Sequence, residues 1–152
     1  MVLWYFAYGR NINIDELIRR IERYPLIICR GILPGYDLRF NKDPGPKSGT
    51  GYANMVPAEG RWVEGLLYLL NEEDMDKLDK FEGVPQHYKR HKVNVWNIEK
   101  MRWVIAETYV AVRTRELKPP KEYLIEIIKA AEEALLSPEW IEYLNKFLDN
   151  AI

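Results

Sequence analysis

The strongest constraint in this sequence is a continuous apolar and aromatic run at residues 2–7, which is followed at once by a turn and a helix signal. An uninterrupted apolar run of this length predicts a buried strand. The run ends at a turn that consists of Tyr8, Gly9, Arg10 and Asn11. Asn13 is a good helix N-cap, and Glu16 lies three residues later, as in a capping box. The sequence therefore predicts a buried strand, a tight turn and a short helix in succession.

Further runs with the periodicity of strands occur through the middle of the chain. The predicted segments are an extended stretch at residues 26–40 with a turn at Pro34 and Gly35, a short strand at 52–56, a long strand at 62–70 interrupted by Glu64 and Gly65, and a hairpin formed by 93–96 and 102–112. Residues 41–51 are dense in turn-forming residues, which predicts a loop. The middle of the chain is thus expected to be mostly β-structure.

A helix is expected after the long strand. Asn71 is a capping residue, and the acidic residues that follow it suit the positive end of a helix dipole. Met75 and Leu78 are spaced to face the core, and Phe81 lies one step further along that face. Gly83 is expected to end this helix.

Two more helices are predicted towards the C-terminal end. The first is amphipathic around residues 124–131, and the second begins at Ser137, a capping residue followed by Pro138. This order of elements predicts an α+β fold, as a small mixed β-barrel or strongly curved sheet with peripheral helices and two C-terminal helices. A chain of 152 residues fits one domain, so residues 1–152 are predicted to form a single domain.

The composition excludes several classes of function. The formal net charge is −1, with 22 basic and 23 acidic residues, which gives no general attraction to nucleic acid or to an anionic membrane. Cys29 is the only cysteine, so no internal disulfide can form, and its apolar surroundings predict a buried core residue. No apolar stretch reaches the ~18 residues of a membrane-spanning helix. We therefore expect a soluble, cytoplasmic protein.

Known short motifs for cofactors and metals are missing from the sequence. Gly49, Thr50 and Gly51 are not followed by the helix that a phosphate-binding loop requires. The two histidines, His87 and His91, fall in a predicted strand, where residues four apart lie about 13 Å from each other. No metal site and no cofactor are predicted.

Two features that could take part in catalysis or binding remain. Backbone N–H groups in the 8–11 turn favour an anionic oxygen, although an ordinary strand–helix connection would have the same pattern. Glu82 ends a predicted helix between the apolar residues Phe81 and Val84. If its side chain faces an apolar pocket, burial raises its pKa towards the range of a general acid or base. A solvated Glu82 is the alternative, and Glu64 and Glu107 are rival carboxylates within apolar strands.

Several blocks of the sequence, taken in order, resemble the γ-glutamylcyclotransferase-like family, which includes the γ-glutamylamine cyclotransferases. The 8–11 turn is similar to the family's Tyr-Gly-Ser-Asn turn. Residues 65–68 (Gly-Leu-Leu-Tyr) and 78–84 (Leu-Asp-Lys-Phe-Glu-Gly-Val) match a strand block and a helix block of that family. Tyr109 matches a tyrosine of its hairpin, and Tyr123, after two prolines, matches a tyrosine that opens a helix.

The resemblance implies a small mixed β-barrel and an enzyme that cyclises a γ-glutamyl amide to 5-oxoproline, with Glu82 as proton acceptor and donor. It also implies that the backbone of Tyr8, Gly9, Arg10 and Asn11 binds the γ-glutamyl group, and that Tyr88, Tyr109 and Tyr123 line the pocket. The implied partner is a small-molecule γ-glutamyl substrate. The sequence specifies neither its amine half nor the oligomeric state.

Arg10 departs from the family pattern, which has serine at this position. The side chain is expected either to pair with a substrate carboxylate or to fill the cavity. The second case would favour a non-catalytic small-molecule binding module of the same fold. A hydrolytic relative that releases linear glutamate is a further alternative.

Overall fold

The computed structural model describes residues 1–152. It contains five strands and four α-helices. In chain order they are β1 (Val2–Ala7), α1 (Ile14–Ile21), β2 (Ile27–Lys42), β3 (Tyr52–Asn71), α2 (Glu72–Glu82), β4 (Tyr88–Asn97), β5 (Arg102–Ala111), α3 (Lys121–Glu133) and α4 (Pro138–Lys146). Two short 3₁₀ helices cover Arg10–Ile12 and Phe147–Asn150.

The five strands close into a barrel in the order β1-β3-β2-β4-β5. β1 runs parallel to β5, with Trp4 opposite Ala106, and every other pair is antiparallel. Closure pairs β1 on both sides and leaves the sheet without a free outer strand. The predicted α+β class and the small mixed barrel with peripheral helices are confirmed.

β2 and β3 are longer than predicted. Pro34 and Gly35 produce a register shift within β2, not a reversal of the chain, and Gly35 adopts a φ of 84° there. On the partner strand, residues 58–61 bulge out opposite Gly35, because Pro34 pairs with Trp62 while Tyr36 pairs with Pro57. The two strands predicted at 52–56 and 62–70 are therefore one strand. The predicted turn is wrong because pairing along both long strands overrides the local turn formers.

The helix caps follow the predictions closely. Asn71 and Asp74 form a reciprocal capping box at the start of α2, with N–H···O distances of 3.0 and 3.1 Å. Ser137 Oγ accepts from Trp140 N at 3.1 Å and caps α4. Asn13 Oδ1 likewise accepts from Glu16 N at 3.1 Å, but the carboxylate of Glu16 contacts arginine side chains instead of completing a capping box.

A cluster of 32 buried hydrophobic residues fills the barrel and the space beneath the helices. Met75 and Leu78 of α2 are fully buried in it, and Cys29 is 4% exposed, as predicted. Phe81 departs from the prediction, because it is 51% exposed and lies beneath the Arg20 guanidinium, 5.1 Å from ring centre to Cζ. None of the helices combines the length and the apolar character that crossing a membrane requires.

Candidate active site

A cavity of about 210 Å³ lies where the ends of β1 and α2 meet the beginnings of β4 and α3. All eight residues that the sequence singled out line it: Tyr8, Gly9, Arg10, Asn11, Glu82, Tyr88, Tyr109 and Tyr123. They come from four separate parts of the chain. The fold therefore brings together residues that are up to 115 positions apart, from Tyr8 to Tyr123.

Glu82 is the last residue of α2, and Gly83 ends the helix in the left-handed conformation with a φ of 67°. The Glu82 side chain is 17% exposed. Its Oε1 accepts from Asn11 Nδ2 at 3.3 Å and lies 3.6 Å from Arg20 Nη1. Burial raises the pKa of Glu82, while the positive charge of Arg20 and the hydrogen bond from Asn11 act in the opposite direction. The net effect is a Glu82 pKa above its ordinary value, which is the direction that a general acid or base requires.

The 8–11 turn is held rigidly beside this carboxylate. Asn11 is buried, its Nδ2 also donates to the Tyr5 hydroxyl at 2.9 Å, and its carbonyl oxygen accepts from the Tyr68 hydroxyl at 2.6 Å. A Cβ at Gly9 would lie 3.1 Å from Ala53 Cβ, so the turn packs closely against β3. Asn11 Oδ1 is buried without a hydrogen-bond partner in the protein. The protein thus leaves one buried acceptor unsatisfied in a residue that lines the cavity.

Four tyrosines, Tyr8 of the turn among them, form much of the wall. Three of their hydroxyls donate hydrogen bonds: Tyr8 to Tyr109 O at 2.5 Å, Tyr88 to Ala53 O at 2.7 Å, and Tyr109 to Asp79 Oδ1 at 2.6 Å. The hydroxyl of Tyr123 accepts one from Ala53 N at 3.2 Å. Burial raises the pKa of all four hydroxyls. They therefore stay neutral at physiological pH and fix the shape of the pocket without adding charge.

Asp79 lies one turn before Glu82 on α2, and its negative charge contributes to the raised pKa of Glu82. Arg90 binds both oxygens of Asp79, at 2.9 and 2.8 Å. Arg90 also contacts Glu107, at 3.2 Å, which accounts for one of the two rival carboxylates. The Asp79–Arg90 ion pair supports the wall of the pocket, because Asp79 accepts a hydrogen bond from the hydroxyl of Tyr109.

The other rival, Glu64, has a structural role away from the cavity. It is 3% exposed and accepts from Ser137 N at 2.9 Å and from Trp62 Nε1 at 3.0 Å. Its carboxylate therefore anchors the start of α4 to β3. Glu82 is the one of the three candidate carboxylates that lines the cavity.

The side chain of Arg10 is directed to the surface. It is 47% exposed, and its guanidinium lies 3.6 Å from Glu126 and 3.9 Å from Glu16. The cavity beside it remains open. The departure from the family's serine therefore places a cation at the rim of the cavity.

A family model described as the AIG2-like family matches residues 62–144, which is more than half of the chain. The chain belongs to the AIG2-like family. Two relatives that match nearly the whole chain are named gamma-glutamylcyclotransferase. The one from Bos taurus is 28% identical and the one from Homo sapiens is 27% identical, and each alignment covers 96% of this chain and 79% of the relative.

The fold of this family member is also that of a solved structure named gamma-glutamyl cyclotransferase, with a TM-score of 0.83 at 25% identity, covering 95% of this chain and 87% of that one. These matches confirm the family resemblance seen in the sequence. The relatives are named as enzymes of one class, in agreement with the enzyme predicted here.

Two charged cavity residues of this family member were missed by the sequence analysis. Arg20 lies on α1, and its distance to Glu82 depends on how α1 packs against α2. Lys42 was placed in a predicted loop, but it is the last residue of β2 and is buried. The alternation of Tyr36, Leu38 and Phe40, extended by one more step, would have placed Lys42 on the inward face.

Removing the charge of Arg20 tests its effect on Glu82. In Arg20→Met we expect the pKa of Glu82 to rise further, because burial is then opposed by fewer positive charges. A ¹³C NMR titration of the Glu82 carboxyl measures this directly, and its midpoint should move to higher pH. Arg19→Met is the matched control, because Arg19 is 62% exposed, lies over the same Phe81 ring and forms its salt bridge with Glu16, not with Glu82. Equal midpoints in Arg20→Met and the control would show that Arg20 does not act on Glu82.

Proposed function

We propose that this protein is a γ-glutamyl cyclotransferase, which cyclises a γ-glutamyl amide to 5-oxoproline and releases the amine half, with Glu82 as acid and base. The observation that carries the proposal is a mostly buried carboxylate with a raised pKa, 3.3 Å from the amide of Asn11, inside a cavity large enough for a small molecule. Family membership and the fold support the same reaction class.

The reaction needs one proton carrier and a folded substrate. Glu82 takes a proton from the substrate α-ammonium, and the freed amine nitrogen attacks the γ-carbonyl carbon. The new C–N bond closes the five-membered ring, Glu82 returns the first proton to the leaving nitrogen, and the bond to that nitrogen breaks. Glu82 then carries a second proton from the ring nitrogen to the leaving amine. The lactam keeps one of the three ammonium protons, and the leaving amine departs as an ammonium with the other two. Atoms and charge therefore balance without any further reactant.

Holding the substrate in a folded shape is the larger part of the task. The nucleophile and the carbonyl belong to one molecule, and oriented intramolecular steps reach effective molarities of about 10⁵–10⁸ M. The 8–11 turn is suited to hold the glutamyl half, because its N–H groups favour a carboxylate or a developing oxyanion. Asn11 Oδ1 is a buried acceptor without a protein partner, and an α-ammonium on the adjacent turn would supply the donor that it lacks. The neutral tyrosines confine the chain of the substrate.

Product analysis tests the proposal. The protein incubated with a γ-glutamyl amino acid or γ-glutamyl alkylamide should release 5-oxoproline, detected by liquid chromatography and mass spectrometry. The same compound with an acetylated α-amine should yield nothing, because its nucleophile is blocked. Linear glutamate as the product would instead identify a hydrolase. Binding without any product would identify the non-catalytic binding module.

A further inference from the structure

Three cations line the cavity, and one of them lacks a counter-ion. Arg10 lies near Glu16 and Glu126, and Arg20 contacts Glu16 and Glu82. Lys42 forms no salt bridge within 4.0 Å of its Nζ, and the negative charges of Asp43 and Glu82 act on it only from a longer distance. A charged side chain is rarely buried without a partner. The absence of a carboxylate in contact with Lys42 therefore needs an explanation.

The contacts of Lys42 leave most of its hydrogen-bonding capacity unused. The residue is 6% exposed, its Nζ is 2.7 Å from His87 Nδ1, and the ammonium lies 5.6 Å from the centre of the Tyr88 ring. An ammonium has three N–H donors, so two remain after the contact with His87 Nδ1. No protein acceptor takes them. A carboxylate, with two acceptor oxygens, matches this pair of donors and this charge.

The position of Lys42 indicates which part of a substrate it meets. The 8–11 turn packs on Ala53 through Gly9, and Ala53 accepts the hydroxyl of Tyr88. Lys42 lies over the ring of Tyr88, so contacts run from the turn through Ala53 and Tyr88 to the ammonium, and its charge also acts on Glu82. A glutamyl half held on the turn therefore directs the amine half of the substrate towards Tyr88 and Lys42.

We infer that Lys42 binds a carboxylate on the amine half of the substrate. This inference rests on the proposed function and adds a specificity to it. Lys42 selects γ-glutamyl derivatives of amino acids or peptides over those of uncharged amines, and it disfavours cationic amines by like-charge repulsion.

Three substrates that differ in the amine half test the inference: γ-glutamyl-glycine, γ-glutamyl-glycinamide and the γ-glutamyl amide of 1,2-diaminoethane. With the unaltered protein, kcat/KM for the glycinamide should be about tenfold to a hundredfold lower than for glycine, the range expected for one hydrogen bond between charged groups. The diaminoethane compound should be poorer still. Lys42→Met should abolish the preference, because methionine keeps the packing on Tyr88 and removes the charge. Lys47→Met removes an exposed loop lysine and should retain the preference.

The outcomes separate this inference from the proposed function. Equal kcat/KM for all three substrates in the unaltered protein would overturn the role of Lys42 and leave the cyclisation standing. An equal loss on all three in Lys42→Met would also overturn it, since Lys42 would then act on the glutamyl half or on Glu82. If no substrate gives 5-oxoproline, the proposed function fails, and calorimetry still tests Lys42. The glycine compound should then bind more tightly than the glycinamide, and equal Kd values would overturn the inference.

Discussion

Replacing Glu82 with glutamine should lower kcat for 5-oxoproline release by about 10²–10⁴-fold, the usual contribution of a general acid or base. Glutamine keeps the length of the side chain and an oxygen that accepts from Asn11, but it cannot take or return a proton. Glu82→Asp should also lose about 10²-fold, because shortening the side chain moves the carboxylate by about 1 Å or more. The measurement is single-turnover or steady-state release of 5-oxoproline.

The fold should survive the change to glutamine. Burial raises the pKa of Glu82, so ionising it costs folding free energy, and the stability that the protonated form provides is lost as pH rises through the folded-state pKa. Glutamine is neutral at every pH, so the variant should be at least as stable as the unaltered protein at neutral pH. Arg20 keeps its contact with Glu16 at 3.1 Å.

Glu73→Gln is the matched control for this prediction. Glu73 lies on the same helix, and its side chain is 81% exposed with one contact, 3.8 Å from Arg23. It should leave kcat and the free energy of unfolding nearly unchanged. Full activity of Glu82→Gln would contradict the proposed mechanism. A loss of activity together with unfolding would place the effect in the fold, and circular dichroism distinguishes the two.

The elements predicted well from the sequence are those that local signals determine. The caps of α2 and α4 depend on Asn71 and Ser137 and on backbone groups three residues away, so their positions are visible in the sequence. The strand β1, of which Tyr5, Phe6 and Ala7 are buried, is likewise a local apolar run. The position of the 8–11 turn, between β1 and α1, follows from the point where that apolar run ends.

The elements predicted poorly depend on partners far away in the chain. β2 remains a strand through Gly35 because β3 pairs with it on both sides of the bulge. Lys42 was predicted to lie in a loop because its pairing with Tyr52 of β3 is likewise not visible in the local sequence. The roles of Asp79 and Arg90 were also invisible, because their contact joins α2 to β4. Pairing between strands is decided by the whole sheet, not by the residues of one segment.

The choice among the carboxylates shows the same limit within the site. Local sequence offered Glu64, Glu82 and Glu107 on equal terms, and only the family resemblance favoured Glu82. The structure separates them by partners, because Glu64 is tied to Ser137, 73 residues away, and Glu107 to Arg90, 17 residues away. Only the fold reveals that these two carboxylates are already engaged.

The second large effect is expected at Gly65, the residue that seemed to interrupt a predicted strand. Gly65 lies in β3 opposite Gly31, and an added Cβ would overlap the carbonyl oxygen of Ala7 and lie 3.2 Å from Phe6 Cε1. Backbone atoms cannot rotate away as the end of a side chain can. Gly65→Ala should therefore destabilise the protein by about 3 kcal/mol, at the upper end of the usual range for overpacking.

Activity should fall further than stability alone explains, because Ala7 is the residue directly before the 8–11 turn. A shift of about 1 Å in the end of β1 would move Asn11 relative to Glu82, and a misplacement of this size costs about 10²-fold in rate. Gly49→Ala is the control, since a Cβ there meets no atom within 4 Å. Urea denaturation and kcat/KM at a temperature where both variants are folded provide the two measurements. If Gly65→Ala matched Gly49→Ala in both, the Ala7 carbonyl would be free to relax without moving the turn, and the position of the turn would not depend on its close approach to β3.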